Sequence, residues 1–128
     1  MDFACKTIDL RDVLRCSFEL TRADLAVFKA LSEKKEWATS ATVEAKTELD
    51  RSTVQRSLKR LTDKQLCTRR QENNTEGGYT FHYQSITSTE LAQKVLVVLD
   101  GFRERLGAAL KTESWLRAAK TKTVQMKK

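Results

Sequence analysis

Proline is absent from the 128-residue chain, and only four glycines interrupt it. No helix is therefore forced to stop by a missing backbone amide, and a periodic apolar pattern can run as one long helix. No apolar run approaches the roughly 18 residues that span a bilayer, so no membrane association is expected. The opening MDFACKTIDLRDVL mixes acids with apolar residues and lacks the basic start and unbroken apolar stretch of a signal peptide, so a cytoplasmic location is expected. The three cysteines, Cys5, Cys16 and Cys67, are odd in number and far apart, and form no CxxC pair. Neither a disulfide framework nor a zinc site is expected, because structural zinc ligands come in close pairs and His82 is the only histidine to add. The cysteines read as small, partly buried apolar residues, with Cys16 and Cys67 as the two candidates for a redox sensor. A lone histidine, no glycine-rich phosphate loop and no nucleophile–base pattern leave no basis for an enzyme. No metal or other cofactor is expected.

What the chain does contain is clustered positive charge. The net charge is +7. Between residues 51 and 70 stand seven cations (Arg51, Arg56, Lys59, Arg60, Lys64, Arg69 and Arg70) against the single acid Asp63. The last eighteen residues add a second basic cluster, whereas residues 1–50 and 71–110 are each slightly acidic. A field concentrated in this way suits a polyanion, nucleic acid before an anionic membrane.

The apolar periodicity divides the chain into short elements. Ile8, Leu10, Val13 and Leu14 suggest a leading helix over 7–16. Thr21 is placed to cap a second helix running to Ser32, with Asp24 in its first turn. Thr39 or Ser40 caps a third, short helix. After a turn at residues 47–49, Asp50 caps a fourth, Arg51 to Lys64. In that helix Val54, Leu58 and Leu61 share one face, and Ser52, Arg56, Lys59 and Asp63 the opposite one. Two strands follow, Leu66–Glu72 and Tyr79–Ile86, joined by the turn cluster Asn73–Gly78; Tyr79, Phe81 and Tyr83 alternate as in a half-buried strand. Thr87 or Ser88, with Glu90 three residues on, opens a long helix over 88–116. Leu91, Val95, Val98, Phe102 and Leu106 form its seam.

The order helix, short helix, turn, capped basic helix and hairpin defines a mostly α fold with a small β-hairpin: a winged helix-turn-helix with a long C-terminal dimerisation helix. One domain covers 1–128, with the winged core at 20–86 and a basic tail at 117–128. The fourth helix brings small and amide side chains for base edges (Ser52, Thr53, Gln55) and cations for phosphates or guanines (Arg51, Arg56, Lys59, Arg60), and its N-terminus can hold a phosphate. Thr39 and Ser40 precede it on the short helix. Arg69, Arg70, Asn73 and Asn74 form the candidate wing contact, although the two asparagines serve equally as turn residues. His82 reads as a surface strand residue, and Trp37 and Trp115 as core or interface.

The segment DRSTVQRSLKRLTDKQLCTRR (Asp50–Arg70), followed by GGYTFHYQSI (Gly77–Ile86), resembles archaeal and bacterial winged-helix regulators of the TrmB and MarR kind. CSFELTRADLAVFKALSE (Cys16–Glu33) resembles the opening of small archaeal regulators in that group. The resemblance covers residues 16–110, and RSTVQRSLKRL (Arg51–Leu61) is its most specific part. It implies a homodimer on a pseudo-palindromic operator, with Ser52, Thr53, Gln55, Arg56, Lys59, Arg60 and the wing on the DNA. TrmB proteins proper carry a further sugar-binding domain that has no counterpart in this sequence, so a sugar effector is not expected, and no other small-molecule effector is defined by the residues. The expected function is sequence-specific binding of double-stranded DNA as a nucleoid-associated regulator of transcription, with repression as the expected sense. The alternatives are a nonspecific architectural protein of the same fold and a winged helix used for protein–protein contact.

Overall fold

A computed structural model describes residues 1–117. The basic tail expected over 117–128 lies, apart from Arg117, outside the described residues. The chain opens with a small antiparallel hairpin, β1 (Asp2–Phe3) with β2 (Lys6–Thr7). The hairpin's last residue, Thr7, is the one at which the expected leading helix begins. Helix α1 accordingly spans Leu10–Phe18 and not 7–16, with Asp9 as its cap accepting the Arg11 amide at 2.9 Å. It ends where Glu19 turns into the left-handed region.

Helix α2 (Arg22–Ser32) starts at a complete capping box: the Thr21 hydroxyl accepts the Asp24 amide, and the Asp24 carboxylate accepts the Thr21 amide. Helix α3 (Ser40–Thr47) is capped by Thr39, and α4 (Arg51–Asp63) by Asp50. Strands β3 (Cys67–Asn73) and β4 (Tyr79–Ser85) pair antiparallel, Cys67 opposite Ser85 and Asn73 opposite Tyr79. Ala38 exchanges two backbone hydrogen bonds with Tyr83, at 2.9 and 2.8 Å, and so pins the residues before α3 to β4. At the hairpin turn Gly77 and Gly78 have φ of +98° and +75°, a conformation open to glycine at little cost.

Helix α5 (Ser88–Thr112) opens with a second capping box, Thr87 and Glu90. It stops four residues short of the expected 116. The Thr112 hydroxyl bonds the Ala109 carbonyl, and Glu113 is already extended. Trp115, expected in a core or interface, lies exposed beyond the helix.

The core is the junction of α2, α3, α4 and the start of the hairpin. Val27, Leu31, Val43, Val54, Leu58, Leu61 and Leu66 are almost wholly buried there. Each full leucine burial contributes about 2 kcal/mol relative to exposure. One charged side chain is buried among them: Asp24 has no solvent exposure. Arg60 of α4 reaches it with Nε at 2.9 and 3.1 Å and Nη2 at 2.8 Å. Burial pushes the Asp24 carboxyl upward, but hydrogen bonding led by Arg60, together with the Arg60 charge, more than reverses this and leaves it below its ordinary value. The α2–α4 angle is thus fixed by a charge pair as well as by packing.

Arg60→Ala is expected to destabilise the fold by about 3 kcal/mol or more near neutral pH, because it strands a buried carboxylate. In the wild type the folded pKa is depressed, so the pair's contribution is present above the ordinary carboxylate value and is lost only below it, as pH falls through the lowered folded pKa. In the variant the Arg60 hydrogen bonds and charge are lost while burial, the largest influence, and the Thr21 amide remain, so the folded pKa rises relative to wild type and the deficit should shrink on acidification. Urea unfolding near neutral pH and near about pH 4 checks this; a deficit that ignores pH would refute the assigned role.

Candidate nucleic-acid interface

The capped start of α4 stands beside α3, and its outer face is polar along its length. Asp50 accepts the Thr53 amide at 2.8 Å, and hydrogen bonding from Thr53 holds its carboxyl below the ordinary value. The cap, Asp50 as expected, bears on the phosphate site expected at the same helix end. A carboxylate already occupies the α4 N-terminus, so a phosphate there would meet a like charge, and anion binding falls to the side chains instead. Arg51, Ser52, Gln55, Arg56 and Lys59 are all exposed, and Thr53 is half-buried. Lys59 pairs with Asp63 at 3.0 Å, an exposed i,i+4 contact worth at most a few tenths of a kcal/mol. It is readily exchanged for a phosphate.

Arg60 does not join this face. It was expected among the groove-facing cations, but the buried Asp24 carboxylate holds it on the inner side of α4. Strand alternation likewise separates Arg69 from Arg70, since adjacent residues point to opposite faces of the hairpin. Arg69 turns toward α4, its guanidinium 4.2 Å above the Phe81 ring centroid. Arg70 lies on the back, 4.4 Å over the Trp37 ring and 3.3 Å from Glu72. His82 shares that back face, its Nε2 3.7 Å from Glu72. Of the two asparagines, Asn74 serves the turn: its side chain accepts the Thr80 hydroxyl and its amide bonds the Gly78 carbonyl. Asn73 is exposed at the end of β3.

Between α4 and the hairpin runs an open cleft of about 610 Å³. One wall carries Arg51, Gln55 and Lys59, with Ser40 at the head of α3; the other carries Arg69 and the rings of Tyr79, Phe81 and Tyr83. Thr39 stays half-buried as the α3 cap. Among the described residues Arg51, Arg56 and Arg69 have no carboxylate partner, so the cleft and its rim present uncompensated positive charge. The aromatic wall was the feature missed by the sequence reading. Its period-two alternation was visible, but the direction in which it faces depends on how the hairpin packs against α4.

The seam of α5 divides in two. Leu91 packs on the core and Val95 and Val98 are half-buried, with α1 as the neighbouring helix, whereas Phe102 and Leu106 are exposed together with Leu96, Leu99 and Leu110. Cys5 and Cys16 are exposed and Cys67 is buried. Burial pushes the Cys67 thiol up, and its contact with the Thr62 hydroxyl at 3.3 Å offsets only part of that. Among the described residues no three histidine, cysteine or acidic side chains converge on a common metal position, and no helix is long and apolar enough to cross a membrane.

Three helices, a capped basic helix and a two-stranded wing facing one cationic cleft define a winged helix-turn-helix protein. The family model of the DnaD N-terminal domain matches residues 10–104, and the chain belongs to that family. It is similar in structure to a possible transcriptional regulator from Methanosarcina mazei Go1, with 34% identity and a TM-score of 0.81 over 89% of this chain and 96% of that one. A protein from the thermoacidophilic archaeon Sulfolobus tokodaii is similar at 25% identity and a TM-score of 0.61, over 77% of this chain and 93% of its own. A MarR-family transcriptional regulator from Silicibacter pomeroyi matches at 18% identity and a TM-score of 0.45, over 80% and 69% of the respective chains. No curated protein matches the chain.

The thiols give a direct check on the packing at the root of the wing. Ellman's reagent should titrate Cys5 and Cys16 rapidly in the native protein and Cys67 only on unfolding; fast reaction of all three would contradict the burial of Cys67 and reopen it as a redox sensor.

Proposed function

We propose that the protein is a homodimeric regulator of transcription that binds specific double-stranded DNA by placing α4 in the major groove, with repression as its mode. The observation that carries this reading is the outer face of α4. Arg51, Gln55, Arg56 and Lys59 stand exposed on a helix whose inner face, Val54, Leu58 and Leu61, is locked in the core. A B-DNA major groove admits one such helix, with Gln55 and Arg56 suited to adenine and guanine edges and Arg51 and Lys59 to phosphates. The similar Methanosarcina mazei chain is described as a possible transcriptional regulator, which supports the same role here and a binding protein over an enzyme. Ser52 and Thr53 lie at the start of the reading helix. Arg69 and Asn73 approach the flanking backbone from the wing, and Arg70 is a weaker candidate because Glu72 and Trp37 already engage it.

The dimer reading rests on α5. None of its residues is buried, and Phe102 and Leu106 remain 54% and 47% exposed. An apolar stripe left open on a 25-residue helix marks an interface, here with a second copy. Two copies would present two α4 helices to half-sites about one helical turn apart.

Selection of bound duplexes from fragmented genomic DNA, followed by anisotropy at two salt concentrations, tests the proposal. One pseudo-palindromic motif bound about 10³-fold above random DNA supports it. Equal binding of all fragments, fading steeply with salt, would replace it with the architectural reading. Arg56→Ala should lose about 1–3 kcal/mol on the selected site and little on random duplex, whereas Lys59→Ala should weaken both alike. Leu106→Glu should leave the monomer fold intact, because the position is already half-exposed, and should convert a dimer to a monomer in sedimentation equilibrium; a dimer that survives would put the interface elsewhere.

A further inference from the structure

Major-groove docking leaves the aromatic wall of the cleft unused, because a duplex keeps its base faces stacked on one another. Phe81 and Tyr83 are half-buried, but Tyr79 is 57% exposed, and its ring meets that of Phe81 edge-on, with centroids 5.1 Å apart. The Arg69 guanidinium lies over the Phe81 ring, 4.2 Å from its centroid. Tyr79 and Arg69 therefore flank Phe81 along one wall, and Arg51 and Lys59 stand on the wall opposite. Exposed ring and guanidinium planes beside phosphate-binding cations are the combination that holds unpaired bases, since every base offers a π-face once it leaves the helix.

We propose that the cleft binds an unpaired nucleotide, from a single strand or a base bulged out of a duplex, with the base stacked on Tyr79 and the Arg69 guanidinium and the adjoining phosphates on Arg51 and Lys59. The inference rests on the nucleic-acid reading of the cleft, but not on base readout by α4. A regulator with both capacities would hold opened or distorted DNA in preference to an unbroken duplex.

The test uses the full chain and three fluorescent probes: an oligodeoxythymidine strand, an intact hairpin duplex, and the same duplex carrying one bulged 2-aminopurine. Tyr79→Ala should weaken strand binding about tenfold or more, with a much smaller effect on the intact duplex, while Tyr79→Phe should keep the affinity because it keeps the ring. The 2-aminopurine emission should change on binding to wild type and to Tyr79→Phe, and not to Tyr79→Ala. An oligoribonucleotide bound with the same Tyr79 dependence would support the stacking site and show it indifferent to the sugar. Strand binding that is absent, or insensitive to Tyr79→Ala, would overturn this proposal. If duplex binding were then still sensitive to Arg56→Ala, the regulator reading would survive. Tyr79-dependent strand binding without any specific duplex would instead support the stacking site and overturn the regulator.

Discussion

Arg60 reaches back thirty-six residues to a carboxylate that has no contact with water. At 2.8 Å and an effective dielectric of about 20, the two charges attract by roughly 6 kcal/mol, and withdrawing the Asp24 charge from water costs several. The net gain over an apolar pair of the same shape is therefore small. The effect of the pair is geometric. Leucine and valine side chains tolerate some sliding between two helices, but a carboxylate held in a two-nitrogen fork does not. The same carboxylate also caps α2 through the Thr21 amide, so one group ties the start of one helix to the end of another. The pitch at which α4 presents its outer face follows from that tie.

The charge on the interface follows too. By taking Arg60 inward, Asp24 reduces the cationic face of α4 to Arg51, Arg56 and Lys59. By alternation β3 sends Arg69 to the cleft and Arg70 to the back, where Trp37 and Glu72 engage it. The cations that face outward are then few and spaced, not a continuous band. A continuous band binds any phosphate backbone. In the proposed complex, spaced cations interleaved with Gln55 and Ser52 would leave room for contacts that depend on which base stands beneath them.

Much of this was legible in the sequence because its signals are local. Thr21 and Asp50 cap the helices that follow them, as their side chains and spacing predict, Thr39 and Thr87 are the caps where the sequence offered Ser40 and Ser88 as well, and the glycine pair at 77–78 marks the wing turn. The misreadings share a cause. Two-residue strands such as β1 and β2 carry no period to detect, so the leading helix was drawn too early. Arg60 looked like its neighbours because only a residue distant in the chain distinguishes it. Tyr79, Phe81 and Tyr83 announced a strand with two unlike faces, but only the packing of the hairpin on α4 decides that the rings line the cleft. The apolar pattern carries no signal for the end of α5, where Glu113 turns to extended backbone.

The physics of α5 bears most directly on assembly. Most of a helix's stability in a protein comes from packing its apolar face and not from propensity. Leu91, Val95 and Val98 find that support within the monomer; Leu99, Phe102, Leu106 and Leu110 do not. Full burial of side chains of this kind is worth about 1.5–3 kcal/mol each. Counted once from each protomer and discounted for partial exposure, the set matches the scale of the translational and rotational cost of association. The second half of α5 therefore gains as much order from the proposed dimer as the dimer gains affinity from α5. Leu91, at the start of α5, packs on the same core that carries α4, and α1 is the neighbouring helix. In the proposed dimer any change in how the two α5 helices cross would reposition the two α4 helices relative to each other, and with them the half-site spacing that the pair accepts.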